Sequence, residues 1–131
     1  MNLKDSFSIG VDIVDIMRIS KEIDERFIKR IYTIDEINYC KNKNNISLYF
    51  AGRLAAKEAV SKALKMSWET GVNWRDIEII NDKIGTPGVI LHGEAKKIAI
   101  ERKIKNILIS ISHEKEYAVA FSITIGAKDD E

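Results

Sequence analysis

The chain has 131 residues, a length that suits one domain built on one core. Hydrophobic residues make up 45% and charged residues 31%, and the net charge is +1, so no global field draws the chain to nucleic acid or to a membrane surface and any anion site must be local. No apolar run is long enough to span a bilayer, no signal peptide is read in the first residues, and Cys40 has no second cysteine to pair with, a combination that suits a reducing, cytoplasmic compartment.

Residues 7–16, FSIGVDIVDI, alternate as a strand does, with Phe7, Ile9, Val11 and Ile13 on one face and Ser8, Gly10, Asp12 and Val14 on the other. In ISKEIDERFIKRIYT, Ile23, Phe27 and Ile31 recur at a spacing of four, which predicts one helix with Ser20 as its candidate cap. TIDE at 33–36 has the form of a capping box, with Thr33 and Glu36 as its two members, and predicts a short helix to about Lys41 that NKNN breaks. Phe50–Lys65 is rich in Ala, Leu, Lys and Glu and is the strongest helix in the chain. Then follow a strand–turn–strand with Gly85, Pro87 and Gly88 in or near the turn, an amphipathic helix in EAKKIAIERKI, and a hairpin turning over His113–Glu116. The order β-α-α-α-β-β-α-β-β predicts an α+β fold, an antiparallel sheet packed with helices, rather than a doubly wound parallel sheet. A single domain is expected over 1–125, with a frayed acidic tail over 126–131.

Four places carry candidate chemistry. On the 50–65 helix, Glu58 and Lys62 read most simply as an i,i+4 surface pair worth about 0.2–0.5 kcal/mol. The five alanines between Phe50 and Leu64 point the other way: they let the helix sit close to a sheet, so that flanking charges are half buried and need a cation or a metal. Asp12 lies on the less apolar face of the first strand, either exposed or projecting into a cleft. With Glu58 it would make two hard oxygen ligands, the kind that hold Mg²⁺ together with phosphate oxygens and water. Ser110, Ser112 and His113 sit at a hairpin end without a G-x-S-x-G elbow, so a phosphate contact suits them better than a hydrolase triad. GTPG, which contains Pro87, is a turn first and a nucleotide contact second. Neither common nucleotide fingerprint is present, and two histidines with one cysteine make no zinc site.

Taken together and in this order, IGVDIVDIMRI, RFIKRIYTIDEINYC, FAGRLAAKEAVSKAL, WRDIEIINDKIGTPGVIL and ILISISHEKEYAVAFSI resemble the holo-acyl-carrier-protein synthases, the short type of 4′-phosphopantetheinyl transferase. The resemblance implies transfer of phosphopantetheine from coenzyme A to a serine of apo acyl carrier protein, releasing adenosine 3′,5′-bisphosphate, in support of fatty acid biosynthesis. It implies Mg²⁺ held by Asp12 and Glu58, and Lys62 on the pyrophosphate as a third catalytic residue. Arg53, Lys57, Ser61, Pro87, Ser112 and His113 would bind the coenzyme. Arg18, Arg26 and Arg30 would form a local basic face for the acidic carrier protein, beside the acids Glu22, Asp24 and Glu25. A homotrimer is implied, with sites between subunits where Asp12 and Glu58 act with Arg53 or His113 of a neighbour, and with Ala118 and Ala120 allowing close subunit approach. The general base is left open among a metal-bound water, Glu58 and, less favoured, His113.

Two positions depart from the family pattern. Lys65 stands where a glycine is expected after the helix, and Thr86 where a basic residue is expected before the proline. The Lys65 departure gives standing to an alternative from another class, a binding module that senses a carrier protein or a nucleotide and would bind coenzyme A without turnover.

Overall fold

The computed structural model describes residues 5–67 and 71–127. Strand β1, Asp5–Asp15, leads directly into helix α1, Ile16–Glu22. The Asp15 carboxylate starts that helix by accepting from the amides of Met17 and Arg18. Ile23 and Asp24 are extended, and the Asp24 carboxylate accepts from the Phe27 amide at 2.8 Å to begin a second helix, α2, Glu25–Ile31. The single helix expected here is therefore two, because a four-residue stripe does not register a cap in its middle. Ser20 is no cap either: it sits inside α1 and its hydroxyl donates to the Met17 carbonyl at 2.7 Å. The capping box does form, with Thr33 and Glu36 satisfying each other's backbone amides at the start of α3, Ile34–Lys41.

Helix α4 runs from Ile46 to Ala63, a full turn earlier than composition suggests, because Asn45 caps it through the Leu48 amide. After a 3-10 turn at Trp74–Asp76 come strands β2, Ile77–Asn81, and β3, Pro87–Leu91, then helix α5, Gly93–Glu101, and strands β4, Ile104–His113, and β5, Tyr117–Ala127. Gly126 and Ala127 thus belong to β5 rather than to a tail, and residues 128–131 lie outside the described residues. The strands form two antiparallel sheets, one ordered β1-β5-β4 and one pairing β2 with β3. Among the described residues no helix is long and apolar enough to cross a membrane.

Helix α4 crosses the three-stranded sheet and is buried on nearly every side; Ala51, Ala55, Ala56, Ala59 and Ala63 are all 2% exposed or less. Small residues answer them from the sheet: Gly10 on β1, and Ala118, Ala120, Ser122 and Thr124 on β5. A Cβ on Gly10 would lie 2.0 Å from the Ala59 carbonyl oxygen, so strand and helix backbones touch there. Ala118 and Ala120 therefore serve the helix contact, not the approach of another subunit.

The other face of the same sheet is open and apolar. On β1, the residues with the larger apolar side chains, Phe7, Ile9, Val11 and Ile13, are about half to two-thirds exposed. Val11 pairs in register with Phe121, and Ile9 with Ile123, which in turn faces Leu108 on β4, so the exposed side chains form one continuous surface. Helix α4 covers the less apolar face, because only that face is small enough to admit a helix backbone.

Candidate functional site

Helix α4 carries chemistry on two flanks. On its β1 flank, Glu58 and Asp12 line a single open cleft of about 460 Å³ with Arg18, Arg30, Leu54 and Trp74. Asp12 projects from the helix-covered face of a strand and Glu58 from a buried helix, so both carboxylates stand on rigid elements. Lys62, one turn beyond Glu58, reaches across to β1; its ammonium donates to Asp12 Oδ1 and to the Val11 carbonyl, each at 3.0 Å. The Asp12 side chain is 20% exposed and the Lys62 side chain 52%, so this pair is open to solvent on the lysine side and the lysine is able to change partners. Arg18 and Arg30 bring positive charge to the same cleft; Arg26 is exposed on α2 but does not line it.

On the β4 flank, Arg53, Pro87 and His113 meet in a separate hollow of about 160 Å³ with Tyr39, Tyr49 and Asn81. The Arg53 guanidinium is 4% exposed, lies 3.9 Å over the Tyr39 ring and donates to Asn81 Oδ1, while its Nε has no protein acceptor. The Tyr49 ring stacks edgewise on His113 at 5.6 Å, and Lys43 lies over the rings of both Tyr39 and Tyr49. The Asp82 carboxylate holds the Ile84 and Thr86 amides, so the hairpin turn that presents Pro87 is fixed from within. Aromatic faces, an amide, an imidazole and two cations form a donor set suited to a base and a phosphate. Tyr39, Tyr49, Lys43 and Asn81 carry no local motif; the fold alone gathers them.

The cleft and the hollow share no lining residue. Asp12 and Ile111 face Ala120 from opposite sides, so they stand at one level on the two outer strands of the sheet.

Three residues expected at the coenzyme are elsewhere. Lys57 is fully buried and its ammonium is spent inside the protein, on Glu36 Oε1 at 2.7 Å, the Ile77 carbonyl at 2.5 Å and the Trp74 carbonyl at 3.1 Å. Burial lowers its pKa against the opposing effect of Glu36. Ser61 is 3% exposed and turns inward, its hydroxyl 3.4 Å from the Met66 carbonyl. Ser112 is exposed on β4, one residue out of phase with Ile111 and His113, and so on the opposite face of the sheet from the hollow. Lys65 does what the absent glycine would do: it takes φ +55° just past α4, while Arg102 donates to the neighbouring Leu64 carbonyl. Residues 68–70 of the following loop lie outside the described residues.

Residues 8–122 match the model of the 4′-phosphopantetheinyl transferase superfamily. The holo-[acyl-carrier-protein] synthase of Alkaliphilus oremlandii is 47% identical over 122 residues, covering 89% of this chain and 97% of that protein. The crystal structure of the holo-ACP-synthase from Plasmodium yoelii superposes with a TM-score of 0.81 at 35% identity, covering 95% of this chain and 98% of that one. The Helicobacter pylori holo-[acyl-carrier-protein] synthase in complex with coenzyme A superposes with a TM-score of 0.78 at 34% identity, covering 88% and 98%.

Proposed function

The chain belongs to the 4′-phosphopantetheinyl transferase superfamily, and from that membership we propose how its residues carry 4′-phosphopantetheine from coenzyme A to a serine of apo acyl carrier protein. The observation that carries the assignment of roles is the meeting of Asp12 and Glu58 in one cleft, with Lys62 already bonded to Asp12.

Two carboxylates on rigid elements beside an open space suit Mg²⁺, which takes few protein ligands and completes its shell with phosphate oxygens and water. When bound there, the ion supplies neutralisation of pyrophosphate charge and polarisation of the phosphorus under attack. Asp12 and Glu58 would hold it. Lys62 leaves Asp12 and meets the charge that grows on the leaving adenosine 3′,5′-bisphosphate. The serine Oγ–P bond forms as the P–O bond to the bisphosphate breaks, and the seryl proton passes to Glu58 or to a water that it orients. Arg18 and Arg30, on the cleft, and Arg26, beyond its rim, form the basic approach for an acidic carrier protein.

Arg53, Pro87 and His113 bind the nucleotide end of the coenzyme, with Tyr39 and Tyr49 supplying ring faces. Because the two half-sites lie on opposite flanks of α4, each complete site takes its cleft from one chain and its hollow from the next. The exposed apolar sheet face supplies the reason to assemble, since a monomer seldom leaves so continuous an apolar surface in water. Three such sheets facing a common axis bring the β1 flank of each subunit toward the β4 flank of its neighbour and close the ring as a homotrimer. The left-handed Lys65 keeps the turn after α4 in the conformation a glycine would take there, which removes one of the grounds for a sensor without turnover.

The test is the intact mass of apo acyl carrier protein after incubation with this protein, coenzyme A and Mg²⁺, with and without a chelator. A chelator-sensitive gain of one phosphopantetheine is expected. A folded Asp12→Ala or Glu58→Ala variant with near-normal turnover would sink the metal assignment.

A further inference from the structure

A fully satisfied buried polar cluster lines neither half-site, yet it is bonded to elements that build both. Lys57 Nζ has three N–H groups and three acceptors, on Glu36, Ile77 and Trp74. The Glu36 carboxylate is 1% exposed and holds Lys57 and the Thr33 amide through Oε1 and the Ile79 amide through Oε2 at 3.1 Å. A second layer extends it: Thr33 donates to Glu78 Oε2 at 2.6 Å, and His92 Nε2 lies 3.0 Å from Glu78 Oε1. Helices α3 and α4, the 3-10 turn and strand β2 are thus bonded through one buried ion pair.

Each bonded element carries a site residue a short step away. On α4, Glu58 follows Lys57. Trp74, whose carbonyl Lys57 holds, lines the Glu58 cleft. On α3, Tyr39 lies three residues beyond Glu36, on the same helix side, and supports the Arg53 guanidinium. On β2, Asn81 lies two residues beyond Ile79, on the same strand face, and accepts from Arg53. A buried ion pair is weak evidence for stability, because desolvation offsets most of the attraction; its better attested use is to fix one geometry among several.

We propose that the buried Lys57–Glu36 pair is a positioning device that sets both half-sites at once, seating Trp74 beside Glu58 and holding Tyr39 and Asn81 about Arg53. The inference rests on the assignment of the cleft and the hollow made above. Lys57 and Glu36 are positioning residues, not catalytic ones, since neither reaches substrate.

The decisive variant is Glu36→Asp, which keeps the charge and withdraws the carboxylate by one methylene. Lys57→Met/Glu36→Gln, which removes both charges together, is the second. Each is assayed well below its melting temperature for kcat, for KM toward coenzyme A, and for coenzyme A affinity by calorimetry. Displacement of both halves by about 1 Å predicts a fall in kcat of about 10²-fold with coenzyme A affinity weakened about tenfold. A variant that melts earlier but keeps both KM and affinity, or one whose lost rate equals its unfolded fraction, overturns the proposal. If the parent protein transfers nothing, the functional reading fails, and the calorimetric comparison still decides whether the pair orders the Arg53 hollow.

Discussion

Replacing Gly10 by alanine tests the close approach of strand β1 to helix α4 and the site beside it. The new Cβ would meet the Ala59 carbonyl oxygen at 2.0 Å and the Ala63 amide nitrogen at 2.8 Å. Both are backbone atoms, so no rotamer change relieves the clash, and trimming Ala59 to glycine does not help. Strand β1 is paired along its whole length with β5, so the helix has to yield. Ordinary contact begins at 3.4 Å, so α4 must retreat by about 1.4 Å from the strand. Overpacking of this kind costs about 1–3 kcal/mol, which lowers the melting temperature by roughly 5–10 °C in a domain of this size. The same retreat pulls Glu58 and Lys62 away from Asp12, and a displacement of that order costs about 10²-fold in turnover. Thermal melting and the rate of carrier modification, measured on Gly10→Ala and on Gly10→Ala/Ala59→Gly, check the argument. A Gly10→Ala protein that melts and turns over like its parent would refute the reasoning, as would restoration by the second substitution.

Lys65→Gly should raise the melting temperature by a few degrees, since it relieves a left-handed non-glycine residue costing about 1 kcal/mol; no change would mean that the Lys65 side chain contributes as much as its backbone costs. Burial raises the Cys40 thiol to about 12, so a thiol reagent at pH 8 should leave the native protein unmodified and label it once in urea; fast native labelling would contradict that burial. Burial pushes the Glu78 carboxyl up, but hydrogen bonds from Thr33 and His92 and the charges of His92 and Lys57 outweigh it and hold the group below its usual value of 4.5. Its stabilising contribution is then fully present above the unfolded carboxylate range and lost as pH falls through the lowered value. Urea midpoints measured from pH 7 to pH 3 should therefore fall less steeply in Glu78→Gln than in the parent; parallel curves would count against the network.

The local signals in the chain were legible where the deciding atoms are near in sequence. The capping box of Thr33 and Glu36 forms as written, and so do the last hairpin and the strand alternation from Phe7 to Asp15, although Ile16 already begins α1. Some local caps were still missed, at Asp24 and Asn45, but most of what failed at the site depended on distant partners. The alternation in β1 does not say which face is covered, and the answer came from the alanines of α4, which admit only the Gly10 face. Lys57 reads as a coenzyme contact until α3 delivers Glu36 to it, and Glu36 itself shows its capping role in the sequence but not its buried pair. Asp12 and Glu58 share a cleft because strand and helix touch at Gly10, a fact no spacing between residues 12 and 58 contains. Ser112 and His113 are adjacent in sequence, and the pleat alone sends them to opposite faces.

The proposed division of α4 into two working flanks has a consequence for mixed assemblies. A chain inactivated at Asp12 keeps its hollow, and a chain inactivated at His113 keeps its cleft. If the sites are shared between chains as proposed, the two defects complement in a mixed ring: in an equal mixture about a quarter of the interfaces join an intact cleft to an intact hollow. Two inactive variants mixed and reassembled should therefore modify carrier protein where neither does alone, whereas two variants damaged on the same flank should not.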